Sequence, residues 1–209
     1  MLSLKKDYDN IEGEYYTRSK LFRWWHTSRF QKAYTIVSRI KRNSIIVDLG
    51  CNGGNFTRNL LAFGEVIGVD ISSSFIRTGR SQVKKAHFIL SDVHSLPLRD
   101  GTFNLVTCLE VLEHLPEPDM VISESWRILR DEGRLFVSTP DDGKRLWRII
   151  WFFWQNIGRG TAWRHKHIYN FDEEKLIRLV HPFFSEITVD YINFFLLLMI
   201  ICVKRDSPL

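Results

Sequence analysis

The stretch SIIVDLGCNGG, residues 44–54, sets the frame for the rest of the chain. Ile45, Ile46 and Val47 run unbroken into Asp48, the mark of a strand (44–48) covered on both faces. Gly50, Gly53 and Gly54 then crowd a turn that leads into a helical pattern over 54–63. Glycines there let a ligand come close to the backbone, and a helix start offers unpaired N–H groups. A dinucleotide turn would read G-x-G-x-x-G, yet counted from Gly50 the second and third glycine positions hold Asn52 and Asn55. The pyrophosphate reading fails on that spacing. Asp48, two residues before the first glycine, would repel a phosphate and attract an ammonium group.

Outward from this stretch the same rhythm repeats. Apolar runs predict strands over 66–70, 87–90, 105–109, 134–138, 185–190 and 195–203. Between them lie helical patterns over 72–81, opened by capping serines, and over 118–130, with Gly133 just past its end. An amphipathic helix over 18–42, carrying Phe30, Ala33, Tyr34, Val37 and Ile40 on one face, precedes them. Apolar strands separated by helices imply an α/β fold with a mostly parallel, seven-stranded sheet and helices on both faces. Such sheets bind ligands at the carboxyl ends of their strands. With 209 residues, 44% hydrophobic and 25% charged, the expectation is a single domain over 1–209. Residues 1–43 read as an N-terminal helical cap, 44–140 as a cofactor-binding half, and 141–209 as a substrate-side lid with the C-terminal strands.

The strand tips carry the chemistry. Asp70 closes the second strand and is followed by Ile71; a carboxylate there can accept from both ribose hydroxyls. Asp92, followed by Val93 beyond the third strand, can accept from an exocyclic amine. A ligand with an ammonium, a ribose and an adenine is S-adenosyl-L-methionine. The series VDLGCNGG, GVDIS, SDVHSLPLRDGTFNLV, EVLEHLPEP and LRDEGRLFVSTP resembles the successive motifs of the class I S-adenosylmethionine-dependent methyltransferases, within them the methyltransferase type 11 group, with their Rossmann-like fold. The resemblance implies Asp48, Gly50, Cys51, Asn52 and Gly54 around the methionine moiety. It also implies Asp70 and Ile71 at the ribose, Asp92 and Val93 at the adenine, and Leu109 beside the sulfonium. Two positions depart from the family: Asn52 stands where glycine is commonest, and Asn104 where the fourth strand usually starts with Asp.

Methyl transfer from a sulfonium needs alignment above all, plus a base where the nucleophile is a hydroxyl. Glu110, Glu113 and His114 follow the fourth strand, and His165 and His167 the fifth; His114 is the first expected catalytic base and His167 the second. The segments FNLVTCLEVLEHLPEPD and GKRLWRIIWFFWQNIGRGTAWRHKHIYNF resemble the O-methyltransferases of ubiquinone biosynthesis. That likeness implies a membrane-docking segment after the fifth strand and associates Glu110, Glu113 and His114 with a divalent metal. Mg²⁺ could be held there through oxygens, although capping and packing are the commoner use of such a segment and no metal is assigned. The C-terminal FFLLLMIICVKR departs from the quinone enzymes, which leaves the acceptor open.

Charge narrows the partners. The chain is net +5, and its basic residues cluster where acids are missing: Tyr15 to Val47 and Gly143 to Asn170. Trp24, Trp25, Trp147, Trp151, Trp154 and Trp163 lie in those same segments. A small or lipid-like acceptor, with peripheral membrane contact through Trp147 to Trp163, fits this mixture; a core helix beneath a substrate lid is the competing reading. Nucleic acid is the weaker partner, for there is no Asn/Asp-Pro-Pro-Tyr motif. RNA or protein methylation, and a non-catalytic partner subunit, stay as alternatives. Cys51, Cys108 and Cys202 offer no C-x-x-C pair, and the longest apolar run, Phe194 to Val203, is half of what a membrane span needs. The expected compartment is cytoplasmic, at most peripheral to a membrane.

Overall fold

The structure is a computed structural model and describes residues 31, 33–35, 37, 43–156, 167–192 and 196–205. Its centre is a seven-stranded sheet of β1 (Ser44–Leu49), β2 (Gly64–Asp70), β3 (His87–Leu90), β4 (Phe103–Leu109), β5 (Leu129–Pro140), β6 (Glu186–Ile192) and β7 (Leu197–Val203), in the order β3-β2-β1-β4-β5-β7-β6. Strands β1 to β5 are mutually parallel, and β7 runs antiparallel to both β5 and β6. The order turns back at β1, where β2 and β4 flank it, and that reversal opens a crevice at the carboxyl edge. The helices are α1 (Asn55–Leu60), α2 (Ser73–Gln82), α3 (Pro118–Ile128), α4 (Arg145–Asn156) and α5 (Glu173–Val180), with a 3₁₀ turn at Leu112–His114.

Strand alternation sorts the core into two faces. Val47, Leu49, Val106, Cys108, Leu135, Val137, Leu198 and Ile200 point to one side, where Val121, Ile122 and Ile128 of α3 and Leu176 and Val180 of α5 cover them. Ile46, Leu105, Phe136, Leu197 and Met199 point to the other, under Phe56 and Leu60 of α1 and the helical residues Ala33 and Val37. Phe88 of β3 packs separately on Ile76 of α2, together with Val83. Ser72 caps α2 by accepting from the Phe75 amide.

The expected strands and helices occur with shifted ends, and one boundary is corrected. The helix expected over 118–130 stops at Ile128, and Gly133 lies inside β5 rather than past a helix terminus. Its last carbonyls are satisfied from elsewhere: Lys204 Nζ donates to Trp126 O and Leu129 O, Gly101 N to Arg127 O, and Thr102 N to Ile128 O. Leu129 already pairs with Phe103, while Leu105 pairs with Arg134, so residues 130–133 bulge opposite Asn104. Asn104 itself accepts from the Ile45 amide at 2.8 Å through Oδ1. Any side-chain carbonyl oxygen would do this, so the departure from Asp keeps the contact. Most of the helix expected over 18–42 lies outside the described residues, as do Trp24, Trp25, Trp163 and His165.

Candidate active site

Five strand ends face one crevice. Register pairs Leu90 with Asp70, Val69 with Leu49, Leu49 with Cys108, and Leu109 with Ser138, so these tips stand side by side along the carboxyl edge. At β1, Asp48 is 3% exposed. Thr57 Oγ1 of α1 donates to its Oδ2 and Thr107 Oγ1 of β4 to its Oδ1, each at 2.7 Å. Burial raises this carboxyl to about 6 against the pull of both hydroxyls, and nearby Asp70 adds to the rise. The two threonines fix the plane of the carboxylate, a role the sequence does not announce.

The turn after β1 is left-handed at Gly50, Asn52 and Gly54, with φ of 63°, 48° and 86°. A Cβ at Gly50 would come within 2.4 Å of Val111, and one at Gly54 within 2.9 Å of Phe88. Those two positions need glycine for both space and backbone angle. Asn52 tolerates the same conformation better than most residues. Cys51 is buried, and its amide donates to Val69 O at 3.0 Å, which ties the turn to β2.

Asp70, 7% exposed, accepts from Asn52 N through Oδ2 at 3.0 Å and from Ser72 N through Oδ1 at 2.9 Å. It therefore clamps the β1 turn against the α2 cap. Around it are apolar side chains open to solvent, Ile71 at 53% and Leu90 at 50% exposure. Leu90 escapes a sequence reading because the last residue of an apolar strand looks like core. Beyond β3, Val93 is buried, and Asp92 accepts from the amide and ring Nδ1 of His94, both through Oδ1. These bonds hold Asp92 below the usual carboxylate range despite partial burial, which works the other way.

The other end of the crevice is built after β4 and β5. Leu109 is half-buried, and Glu110 adopts a left-handed φ of 57° while its carboxylate accepts from Ser138 Oγ at 3.1 Å. Glu113 is buried; its carboxylate accepts from Thr139 Oγ1 at 3.3 Å and its carbonyl from the Ile168 amide at 2.7 Å. Ligand atoms of Glu113, His114 and His167 lie within 4.8 Å of one another. The structure thus groups His167, and not Glu110, with Glu113 and His114. A divalent cation could sit among these three, on one oxygen and two nitrogens, a donor set better suited to a transition metal than to Mg²⁺.

Aromatic rings continue the wall. His114 meets His167 edge-on at 5.0 Å, His167 stacks on Trp151 at 4.2 Å, and Trp151 stacks on Trp147 at 5.6 Å. Burial, then the neighbouring His114, pushes His167 down to about 3, and its Nδ1 is buried with no hydrogen-bond partner. A base this weak is a poor proton acceptor at neutral pH. The two expected catalytic histidines thus sit in different settings: His167 is held neutral by burial, and His114 stands edge-on beside it. Within the segment of the expected lipid contact, Trp147 to Trp163, the described residues divide between two faces. Trp147 is 6% exposed and Trp151 is stacked inward, whereas Leu146, Ile149, Phe152 and Phe153 of α4 are each more than half exposed.

Residues 47–137 match the family described as the methyltransferase domain. Among curated relatives, the chain is 27% identical over 133 residues to the ubiquinone biosynthesis O-methyltransferase of Xanthomonas oryzae pv. oryzae, covering 56% of each chain. It is 26% identical over 131 residues to the protein of the same name from Coxiella burnetii, again 56% of each. The match thus spans about half the length of those relatives. Among solved structures, a SAM-dependent methyltransferase from Thermotoga maritima, described as a possible histamine N-methyltransferase, superposes with a TM-score of 0.74 at 18% identity over 97% of this chain and 100% of its own. The magnesium protoporphyrin IX methyltransferase of Synechocystis, solved with bound SAH, gives 0.73 at 17% identity over 98% and 100%. These likenesses establish the fold.

Proposed function

We propose, from the match of residues 47–137 to the methyltransferase domain, that the chain transfers the methyl group of S-adenosylmethionine to a hydroxyl of a small or lipid-like acceptor. The observation that carries the reading is the order of the strand tips. Along β3-β2-β1-β4 the crevice presents Asp92 and Val93, then Asp70 and Ile71, then Asp48 with the Gly50–Gly54 turn, then Leu109. Neighbouring strands are about 4.8 Å apart, so these four tips span about 14 Å. That is the order and reach of adenine, ribose, methionine and reacting methyl in one extended cofactor. Ile71 and Leu90 supply exposed apolar surface for the base, and the Asp70 carboxylate at the β2 tip is an acceptor of the kind two ribose hydroxyls need.

In the reaction the acceptor oxygen attacks the methyl carbon, the carbon–sulfur bond breaks towards sulfur, and neutral S-adenosylhomocysteine leaves. The chain's task is to line up oxygen, carbon and sulfur and to take the acceptor's proton. His114, beyond the β4 tip and beside buried Glu113, is the proposed base. The His167–Trp151–Trp147 stack walls the acceptor side within 141–209, and its planar apolar faces suit a flat or hydrocarbon-rich molecule. The outward face of α4 supports peripheral contact with an anionic membrane: Arg145 and Arg148 flank Ile149, Phe152 and Phe153 around a shallow depression of about 420 Å³. No helix among the described residues is long and apolar enough to cross a membrane.

The test is transfer of labelled methyl from S-adenosylmethionine into separated lipid, small-molecule, RNA and protein pools. Label is expected in the lipid or small-molecule pool as a methyl ether. His114→Ala should lower that rate by about 100-fold and leave cofactor affinity within a few-fold. Label in RNA or protein alone contradicts the acceptor class, and unchanged turnover in the variant removes His114 from the proton step.

A further inference from the structure

We propose that His94 is a positioning residue for base recognition, holding Asp92 so that its free oxygen accepts the 6-amino group of adenine. The inference rests on the reading of Asp92 as the adenine contact. Both hydrogen bonds that reach the Asp92 carboxylate among the described residues fall on Oδ1: the His94 amide at 3.0 Å and the His94 ring Nδ1 at 2.6 Å. A carboxylate only accepts, so Nδ1 carries the proton and donates. Two donors on one oxygen fix the rotation of the carboxylate and leave Oδ2 for an outside donor. Asp92 is 38% exposed at its side chain, open enough to meet a ligand, whereas His94 is 16% exposed and lies behind it.

The other ring nitrogen shows that packing alone does not explain this histidine. His94 Nε2 is buried and has no hydrogen-bond partner. An unsatisfied buried nitrogen costs stability, and an apolar side chain of similar size would avoid that cost. What an apolar residue could not supply is the Nδ1 proton on Asp92. The frame around the pair is stiff as well. Val93 and Leu96 are buried on either side. The Leu96 amide donates to Glu124 Oε2 at 2.7 Å, while Arg127 of α3 donates to Leu96 O and Leu98 O at 3.0 and 2.9 Å. Ser95 N and Ser91 Oγ both donate to Asp92 O, closing the turn on itself. A carboxylate aimed from a fixed turn loses little freedom on binding, and this is how a single acceptor can discriminate between purines.

The experiment is calorimetric titration of S-adenosylhomocysteine and of its 6-deamino purine analogue into the wild type and three variants. His94→Leu keeps bulk in an apolar slot and removes the donor; His94→Asn restores a donor at the δ position; Asp92→Ala removes the acceptor. The wild type should prefer the adenine ligand. His94→Leu should lose about 10-fold in affinity for that ligand and stay within about two-fold for the deamino analogue, and His94→Asn should recover most of the preference. Equal losses on both ligands would make His94 a general support of the turn and overturn the proposal, as would unchanged affinities in His94→Leu. If Asp92→Ala abolishes the preference while His94→Leu keeps it, the positioning role fails and the base site stands. A preference that survives Asp92→Ala, or none in the wild type, refutes the base site itself.

Discussion

Asp48 shows how a single residue joins fold and site. Its carboxylate is tied to α1 by Thr57 and to β4 by Thr107, in a setting dry enough to raise it to about 6 from 3.8. The native state therefore favours its protonated form. Stability from this group is full below about pH 4 and is lost as pH climbs through 6. A rise of about two pH units corresponds to a burden on the order of 3 kcal/mol above pH 6. Asn keeps acceptor and shape without charge. Asp48→Asn should therefore melt higher than wild type at pH 8, with the gain shrinking towards pH 4, and should bind S-adenosylmethionine more weakly because the methionine ammonium loses its counter-charge. Thermal melts across that range check the sign; a variant less stable than wild type at pH 8 would show that the charged form is the one the fold prefers. The acid before the glycine turn was legible in the sequence because the glycine spacing fails for a pyrophosphate and a carboxylate there would repel a phosphate and attract an ammonium group. Its threonine partners were not, since α1 and β4 meet β1 only after the sheet forms.

Among the elements, α4 divides its apolar surface in a way periodicity alone does not settle. Residues 145–156 are apolar almost all round, so either face could turn inward. Packing chose Trp147 and Trp151, because the stack onto His167 occupies that side, and left Ile149, Phe152 and Phe153 outside beside Arg145 and Arg148. Phe153→Glu should then lower binding to vesicles containing anionic lipid by at least several-fold, with cofactor affinity unchanged, as measured by co-sedimentation and calorimetry. Equal sedimentation of folded variant and wild type would remove the membrane from the account. The end of α3 was hidden for a related reason. Gly133 is a plausible helix stop in sequence, yet the cap comes from Lys204 at the far end of β7, which no local window contains.

At the scale of the whole molecule, the parallel strands were legible because short apolar runs alternate with helical patterns along most of the chain, and the first three tips carry the acids in chain order. The grouping of Glu113 and His114 with His167 was only half visible. Glu113 and His114 are neighbours in sequence, but His167 arrives from the segment after α4, where the carbonyl of Glu113 holds the Ile168 amide. On the proposed reading, cofactor and acceptor ends meet at the edge of β4, with Asp70 clamping the turn on one side. The most direct test is calorimetric titration of S-adenosylhomocysteine into the wild type and Asp70→Ala. One site is predicted, with affinity falling by about 30-fold or more in the variant, since charge-assisted hydrogen bonds worth about 2 to 4 kcal/mol are lost. Equal affinity in the two folded proteins, or no binding to the wild type, would contradict a cofactor lying across these strand tips.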